Sequence, residues 1–182
     1  LGEEYMNQPV TEAKERRKGG DRKREIAEAA LRCLERVGYA ELTARKISFV
    51  TDSDSDSLSS VLKKIKTGSG SVVLDIHYNA GPASATGIEV IVGDDASAAD
   101  KLFAADVLEA ATSTLKLRSR GVKKESDTPR KRLGVMRENG RACWIEVCCI
   151  PSRSDMSALA ATAGELPPRL ADVLIKHENL TT

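Results

Sequence analysis

The run Ser71–Ile76, read SVVLDI, is almost unbroken in apolar residues. Such a run suits a strand that is covered on both faces of a sheet. It needs strand neighbours at its sides and helices above and below, and the chain offers both. Ile88–Val92, Leu133–Met136 and Cys143–Ile150 read as further strands, with short ones expected at Ala40–Thr43 and Ile47–Val50. Between Arg22 and Val37, the residues Ile26, Ala30, Cys33, Leu34 and Val37 recur at helical spacing ahead of Gly38. Leu58, Val61, Leu62 and Ile65 mark a short amphipathic helix closed by Gly68. Ala96–Leu117 reads as a long helix, Ser154–Ala161 as a shorter one capped by Ser154, and Pro167–His177 as the last. Thr51–Ser57 is a Ser/Asp link and Arg118–Lys131 a basic, polar loop. Strands alternating with helices predict an α/β fold, a single twisted, mostly parallel sheet with helices on both faces. At 182 residues the chain is expected to form one domain, 1–182.

Composition removes several classes of function. The net charge of +1 does not suit a surface tuned as a whole to nucleic acid or to an anionic membrane. No apolar run is long enough to span a bilayer. Leu1–Gln8 lacks the basic-then-apolar pattern of a signal peptide, so no secretion signal is expected in this stretch. Of the four cysteines, Cys143, Cys148 and Cys149 crowd into one apolar run without a CxxC pair, and Cys33 stands apart. Buried free thiols in a reducing compartment are expected, not a zinc knuckle.

Two residues break their local pattern. His77 follows the SVVLDI strand and precedes Tyr78-Asn79-Ala80-Gly81-Pro82. Ligands of open α/β sheets bind beyond the carboxyl ends of strands. Alternation places Asp75 on the same face as His77, where a carboxylate can orient the imidazole as metal-bound histidines require. The plainer alternative is a histidine that closes a strand with a hydrogen bond. Glu146 stands inside Cys143-Trp144-Ile145-Glu146-Val147-Cys148-Cys149-Ile150. An ionised carboxylate there costs on the order of several kcal/mol unless it is paired, protonated or metal-associated. Burial raises its pKa towards the range of a general base. An ion pair with Arg132 or Arg137 is the structural alternative.

These motifs, taken in order, resemble the zinc-dependent N-acetylmuramoyl-L-alanine amidases, which include phage endolysins and bacterial autolysins. Val73-Leu74-Asp75-Ile76-His77-Tyr78-Asn79-Ala80-Gly81 looks like the family's strand that delivers a zinc-binding histidine followed by Asn. Ala85-Thr86-Gly87-Ile88-Glu89-Val90 resembles its next strand. Arg120-Gly121-Val122-Lys123 and Arg132-Leu133-Gly134-Val135-Met136-Arg137 are similar to the loop and strand ahead of its catalytic glutamate. The segment from Ile145 to Met156 resembles the one that carries that glutamate. The resemblance covers about residues 22–176. It implies hydrolysis of the amide between N-acetylmuramic acid and L-alanine in peptidoglycan, with Zn2+ as cofactor, His77 as a ligand and Glu146 as general base and acid.

The family also uses a first histidine in a Gly-His-Gly-like turn after its opening strand, then a glutamate before its first helix. No such turn precedes Arg22, so an upstream strand carrying that histidine is expected. For the glutamate, Glu12 is the candidate, with Glu4, Glu15 and Glu25 as alternatives. His177, the other histidine, is expected at the surface of the last helix, and would be the substitute ligand if the first histidine were lacking. The resemblance makes peptidoglycan the partner, with neither nucleic acid nor membrane, and the cell wall the place of action, for a phage-type lysin or a fragment of a secreted autolysin. A degenerate wall-binding domain is the rival reading. A second rival comes from Arg24–Leu31, Gly38-Tyr39 and Leu42-Thr43-Ala44-Arg45, which are similar to the first helix and turn of TetR-type repressors. The acidic Thr51–Ser57 stretch, which DNA would repel, opposes it.

Overall fold

A computed structural model describes Val50 and residues 56–82, 84–162 and 164–179. The expected helix Arg22–Val37, the strand Ala40–Thr43, most of Ile47–Val50, and Glu4, Glu12, Glu15, Glu25 and Cys33 lie outside the described residues.

Among the described residues, four strands form one open, mixed sheet: β1 (Val72–Asn79), β2 (Ile88–Val92), β3 (Ser119–Lys124) and β4 (Arg141–Cys149), in the order β1-β4-β2-β3. β1 runs parallel to β4 and β2 parallel to β3, while β2 and β4 meet antiparallel. β4 therefore lies between β1 and β2. This topology, with helices interspersed, is the α/β arrangement that the alternation predicts. An all-helical repressor is ruled out by the same sheet.

Each strand presents two unlike faces. Val72, Leu74 and Tyr78 of β1, Ile88, Val90 and Val92 of β2, and Cys143, Ile145 and Val147 of β4 join the main core. Two long helices cover them: α2 (Ala98–Leu115) and α4 (Leu166–Asn179), after the short α1 (Leu58–Lys64). α2 begins at Ser97, whose hydroxyl accepts the Asp100 amide at 3.2 Å while the Asp100 carboxylate accepts the Ser97 amide at 2.8 Å. That reciprocal cap satisfies donors a helix start leaves free. Phe103, Ala104, Val107, Ala111 and Leu115 then recur on one stripe and are buried. The opposite face carries Ile91 and Trp144 under Leu133 and Val135 from a 3-10 turn, Gly134–Arg137. α1 packs behind that turn, so closely that a side chain at Gly134 would strike Leu62. α3 (Arg153–Thr162) follows β4 and contributes Leu159 to the main core.

Besides shifts of one to three residues at element ends, such as β1 running on through His77 to Asn79, three assignments differ from the sequence reading. The expected loop Arg118–Lys131 contains β3, whose charged residues suit an edge strand exposed along one side. Leu133–Met136, expected as a strand, winds as a 3-10 turn instead. The buried carboxylate of Glu125 accepts the Leu133 amide at 2.8 Å and pairs with Arg137, so the backbone donor that a strand ladder would use is already taken. The α3 cap is Ser152 and not Ser154, because the Asp155 amide donates to the Ser152 hydroxyl at 3.3 Å.

Candidate active site

Strand register sets out the site. His77 of β1 faces Glu146 of β4, and Glu146 faces Glu89 of β2. Neighbouring strands lie about 4.8 Å apart, and residues in register share a face. One histidine and two carboxylates thus form a row across the sheet, on the face away from α2 and α4. Asp75 and Trp144 form the next row on the same face.

The two carboxylates are in opposite states of satisfaction. Glu89 is buried, and its carboxylate accepts from Asn79 Nδ2 at 2.9 Å, from Arg120 Nε at 2.9 Å and from Lys123 Nζ. Glu146 has one bond, donated to its Oε1 by the Trp144 indole Nε1 at 2.9 Å. Its Oε2 is buried and has no hydrogen-bond partner among the described residues. Burial pushes the Glu146 carboxyl above its ordinary value, and the nearby charge of Glu89 adds to the rise. The indole hydrogen bond, His77 and Arg130 oppose that rise without cancelling it. A buried carboxylate oxygen with a raised pKa and no partner is a proton acceptor in waiting. The ion pair expected with Arg137 as an alternative does not form, because Arg137 is engaged by Glu125.

His77 is held on two sides. Its Nε2 meets Asp75 Oδ1 at 2.9 Å, the contact that strand alternation predicts for residues two apart. Its ring stacks on the Trp144 indole with centroids 3.5 Å apart and planes 7° from parallel. The side chain is 40% exposed, and its Nδ1 makes no hydrogen bond to the described residues. An imidazole whose second nitrogen is tied to a carboxylate has the donor chemistry of a zinc ligand. Among the described residues no group of three His, Cys, Asp or Glu side chains is placed to hold a metal. His77 has the chemistry of a metal ligand, and the described residues do not complete a three-ligand set around it.

Below the row, Asp155 ties the ends of β2 and β4 together. It is fully buried and accepts the Gly87 amide at 2.9 Å, the Cys149 amide at 3.0 Å, the Ser152 hydroxyl at 2.9 Å and the Thr86 hydroxyl. Burial alone would raise its pKa, but the bonds from Thr86, Cys149, Gly87 and Ser152 outweigh it and hold the carboxyl below its ordinary value. Gly87 has a left-handed backbone, and a side chain there would collide with the Arg118 carbonyl.

His177 departs from expectation. It is buried instead of lying at the surface, and its Nε2 meets Asp106 Oδ2 at 2.6 Å beside Phe103, under the helices. It belongs to the layer on the other side of the sheet from His77 and takes no part in the row. Cys143, Cys148 and Cys149 are buried free thiols, as expected. Burial pushes the Cys148 thiol up to about 12, far from reactivity at neutral pH. Sequence reasoning gave no role to Glu89 or Trp144. Glu89 carries the same signal that singled out Glu146, a carboxylate within an apolar strand. The indole of Trp144 offers no such signal, because an aromatic residue in a strand is ordinary core.

The profile of a family described as N-acetylmuramoyl-L-alanine amidase matches residues 17–166. Among solved structures, the catalytic domain of CwlV, an N-acetylmuramoyl-L-alanine amidase from Bacillus (Paenibacillus) polymyxa var. colistinus, is similar with a TM-score of 0.61 and 18% identity, over 85% of this chain and 82% of that one. The N-acetylmuramoyl-L-alanine amidase from Clostridium difficile 630 has a TM-score of 0.57 and 20% identity, over 86% and 84%. AmiC2 of Nostoc punctiforme, another such amidase, has a TM-score of 0.59 and 15% identity, over 86% and 84%. At these identities the likeness concerns the fold. No curated protein matches the sequence significantly.

Proposed function

Because the chain belongs to the N-acetylmuramoyl-L-alanine amidase family, an enzyme family of the bacterial cell wall, we propose that it hydrolyses the muramoyl–alanine amide by zinc-dependent chemistry in which His77 is a metal ligand and Glu146 the general base. The observation that carries this reading is the buried, unpartnered Oε2 of Glu146, one strand away from the Asp75-bound His77. A carboxylate kept dry and half-satisfied is costly to the fold and useful to catalysis.

Zinc would be held by His77 together with Glu12 and a further residue, and when bound it supplies Lewis acidity at the scissile carbonyl and acidity to a water. The chain's own residues do the rest. Glu146 Oε2 takes a proton from the attacking water as its oxygen bonds to the lactyl carbonyl carbon. When the carbon–nitrogen bond breaks, the same carboxyl returns that proton to the departing alanine nitrogen. The products are a muramic carboxylate and a peptide with a free amine. Asp75 keeps the His77 ring in one orientation through Nε2, and Glu89 is paired with Arg120 and Lys123. Its negative charge helps keep the Glu146 proton affinity high.

The site of action is the peptidoglycan layer, reached by a phage-type lysin or by part of a wall autolysin. Among the described residues no helix is long and apolar enough to cross a membrane. A degenerate, wall-binding relative is the second reading, favoured by the absence of a three-ligand metal cluster among the described residues. Glu146→Gln decides between them. The isosteric amide cannot accept the proton, so turnover on purified wall should fall by at least about 100-fold while bound zinc is retained. Wall hydrolysis near the unmutated level would remove Glu146 from the mechanism, and a zinc-free, inactive parent protein would support the degenerate reading.

A further inference from the structure

Trp144 touches both residues of the proposed chemistry by different atoms. Its indole face lies against the His77 ring, and its Nε1 donates to Glu146 Oε1. We propose that Trp144 is the positioning residue of this site, fixing the His77 ring plane and selecting which oxygen of Glu146 stays free to take a proton. The inference rests on the reading of His77 and Glu146 given above.

The placement follows from strand geometry. Trp144 and Glu146 are two apart on β4 and share a face, and Trp144 lies in register with Asp75. Asp75 draws His77 Nε2 back along β1 towards that row, which lays the imidazole over the indole. With Nε2 tied and the ring held flat, Nδ1 is left with one direction in the plane of the ring. Glu146 is fixed in a complementary way. Its Oε1 is engaged by the indole, so among the described residues Oε2 alone remains without a partner. A merely structural tryptophan would account for the contact with Ile91, Leu133 and Val135. It would not account for a near-parallel stack on one site residue together with a hydrogen bond to the other. The indole has a single polar atom, and burial obliges that atom to find an acceptor. Here the acceptor is the proposed base.

Trp144 is also the only tryptophan in the chain, so its emission reports on this site alone. Two substitutions separate its two contacts. Trp144→Phe keeps an aromatic face for His77 and loses the donor, so kcat should fall about 10-fold with KM and zinc affinity within about twofold. Trp144→Leu loses both contacts, and zinc affinity should also fall about 10-fold. In the zinc-free protein, His77→Ala should raise the indole emission, because a stacked imidazole quenches it, and zinc should change that emission in the parent but not in His77→Ala. Should Trp144→Leu fail to fold by circular dichroism, the Phe variant and the emission measurements decide alone. Parent-level kcat in Trp144→Phe, or emission indifferent to His77→Ala, overturns the proposal. Activity retained in Glu146→Gln would instead overturn the catalytic reading beneath it, so the two failures are distinguishable.

Discussion

His77 and His177 are built from the same parts. Each imidazole presents Nε2 to an aspartate, at 2.9 Å from Asp75 in one case and 2.6 Å from Asp106 in the other, and each lies against an aromatic ring. Their surroundings differ. His77 is 40% exposed on the open sheet face, while His177 is 1% exposed beneath α2 and α4, with Lys176 sharing its aspartate. An imidazole–carboxylate pair is therefore not a site by itself. The pair on the exposed face lies one strand from a carboxylate oxygen that has no partner among the described residues. The sealed pair fastens α4 to α2, reinforced by Arg141, which donates to the His177 carbonyl at 2.7 Å.

Substitution by alanine breaks the comparison most sharply. His77→Ala should lower turnover at least about 100-fold and sharply reduce zinc content, since ligand loss removes affinity directly, while the urea midpoint stays near that of the parent. Stoichiometric zinc in that variant would end the ligand assignment. His177→Ala should do the reverse. Its ring fills core space against Phe103, and truncation should cost about 2–3 kcal/mol of stability, read by urea unfolding, with activity per folded molecule unchanged. A loss of zinc in His177→Ala with stability intact would reverse the roles assigned to the two histidines.

A smaller effect concerns acid. Burial raises the Asp106 carboxyl, but hydrogen bonds from Lys176 and His177 overcome it and leave the group below its ordinary value. A carboxylate depressed in the folded state contributes stability that is fully present above its unfolded pKa and is lost as pH falls through the folded one. The loss should set in below about pH 4. Asp106→Asn should be less stable than the parent at pH 7 and should lose less on acidification, measured as urea midpoints from pH 7 downward. Parallel acid profiles for parent and variant would show that the sealed pair contributes no such stability.

How much of this was legible beforehand varies from residue to residue. Ile88–Val92 was read with the bounds it has in the structure, because a short apolar run between turn signals has few other ways to fold. Asp75 and His77 were placed on one face by alternation, and their contact forms. β3 was hidden by its charge: Arg120, Lys123 and Lys124 read as loop, and only pairing with β2 makes that edge a strand. Leu133–Met136 misled for the opposite reason. Two buried residues two apart satisfy a strand pattern, and the buried Glu125 that turns the segment lies too far back in sequence to be weighed with it.

The sequence by itself determined the alternation of elements, the family motifs and the two residues, His77 and Glu146, that fit poorly in any plain core. Local periodicity and the cost of placing a charge among apolar neighbours are properties of a short window, and a short window is what a sequence displays. The tertiary structure decided which of two similar carboxylates is fully paired and which keeps an oxygen without a partner among the described residues. Glu89 and Glu146 are alike in sequence context, but Glu89 meets Asn79, Arg120 and Lys123, brought to it from β1 and β3. It also decided that Trp144 bridges His77 and Glu146 and that His177 is sealed. Those outcomes depend on strand order and register, which place residues about 70 positions apart in contact, and no local pattern encodes a neighbour that distant.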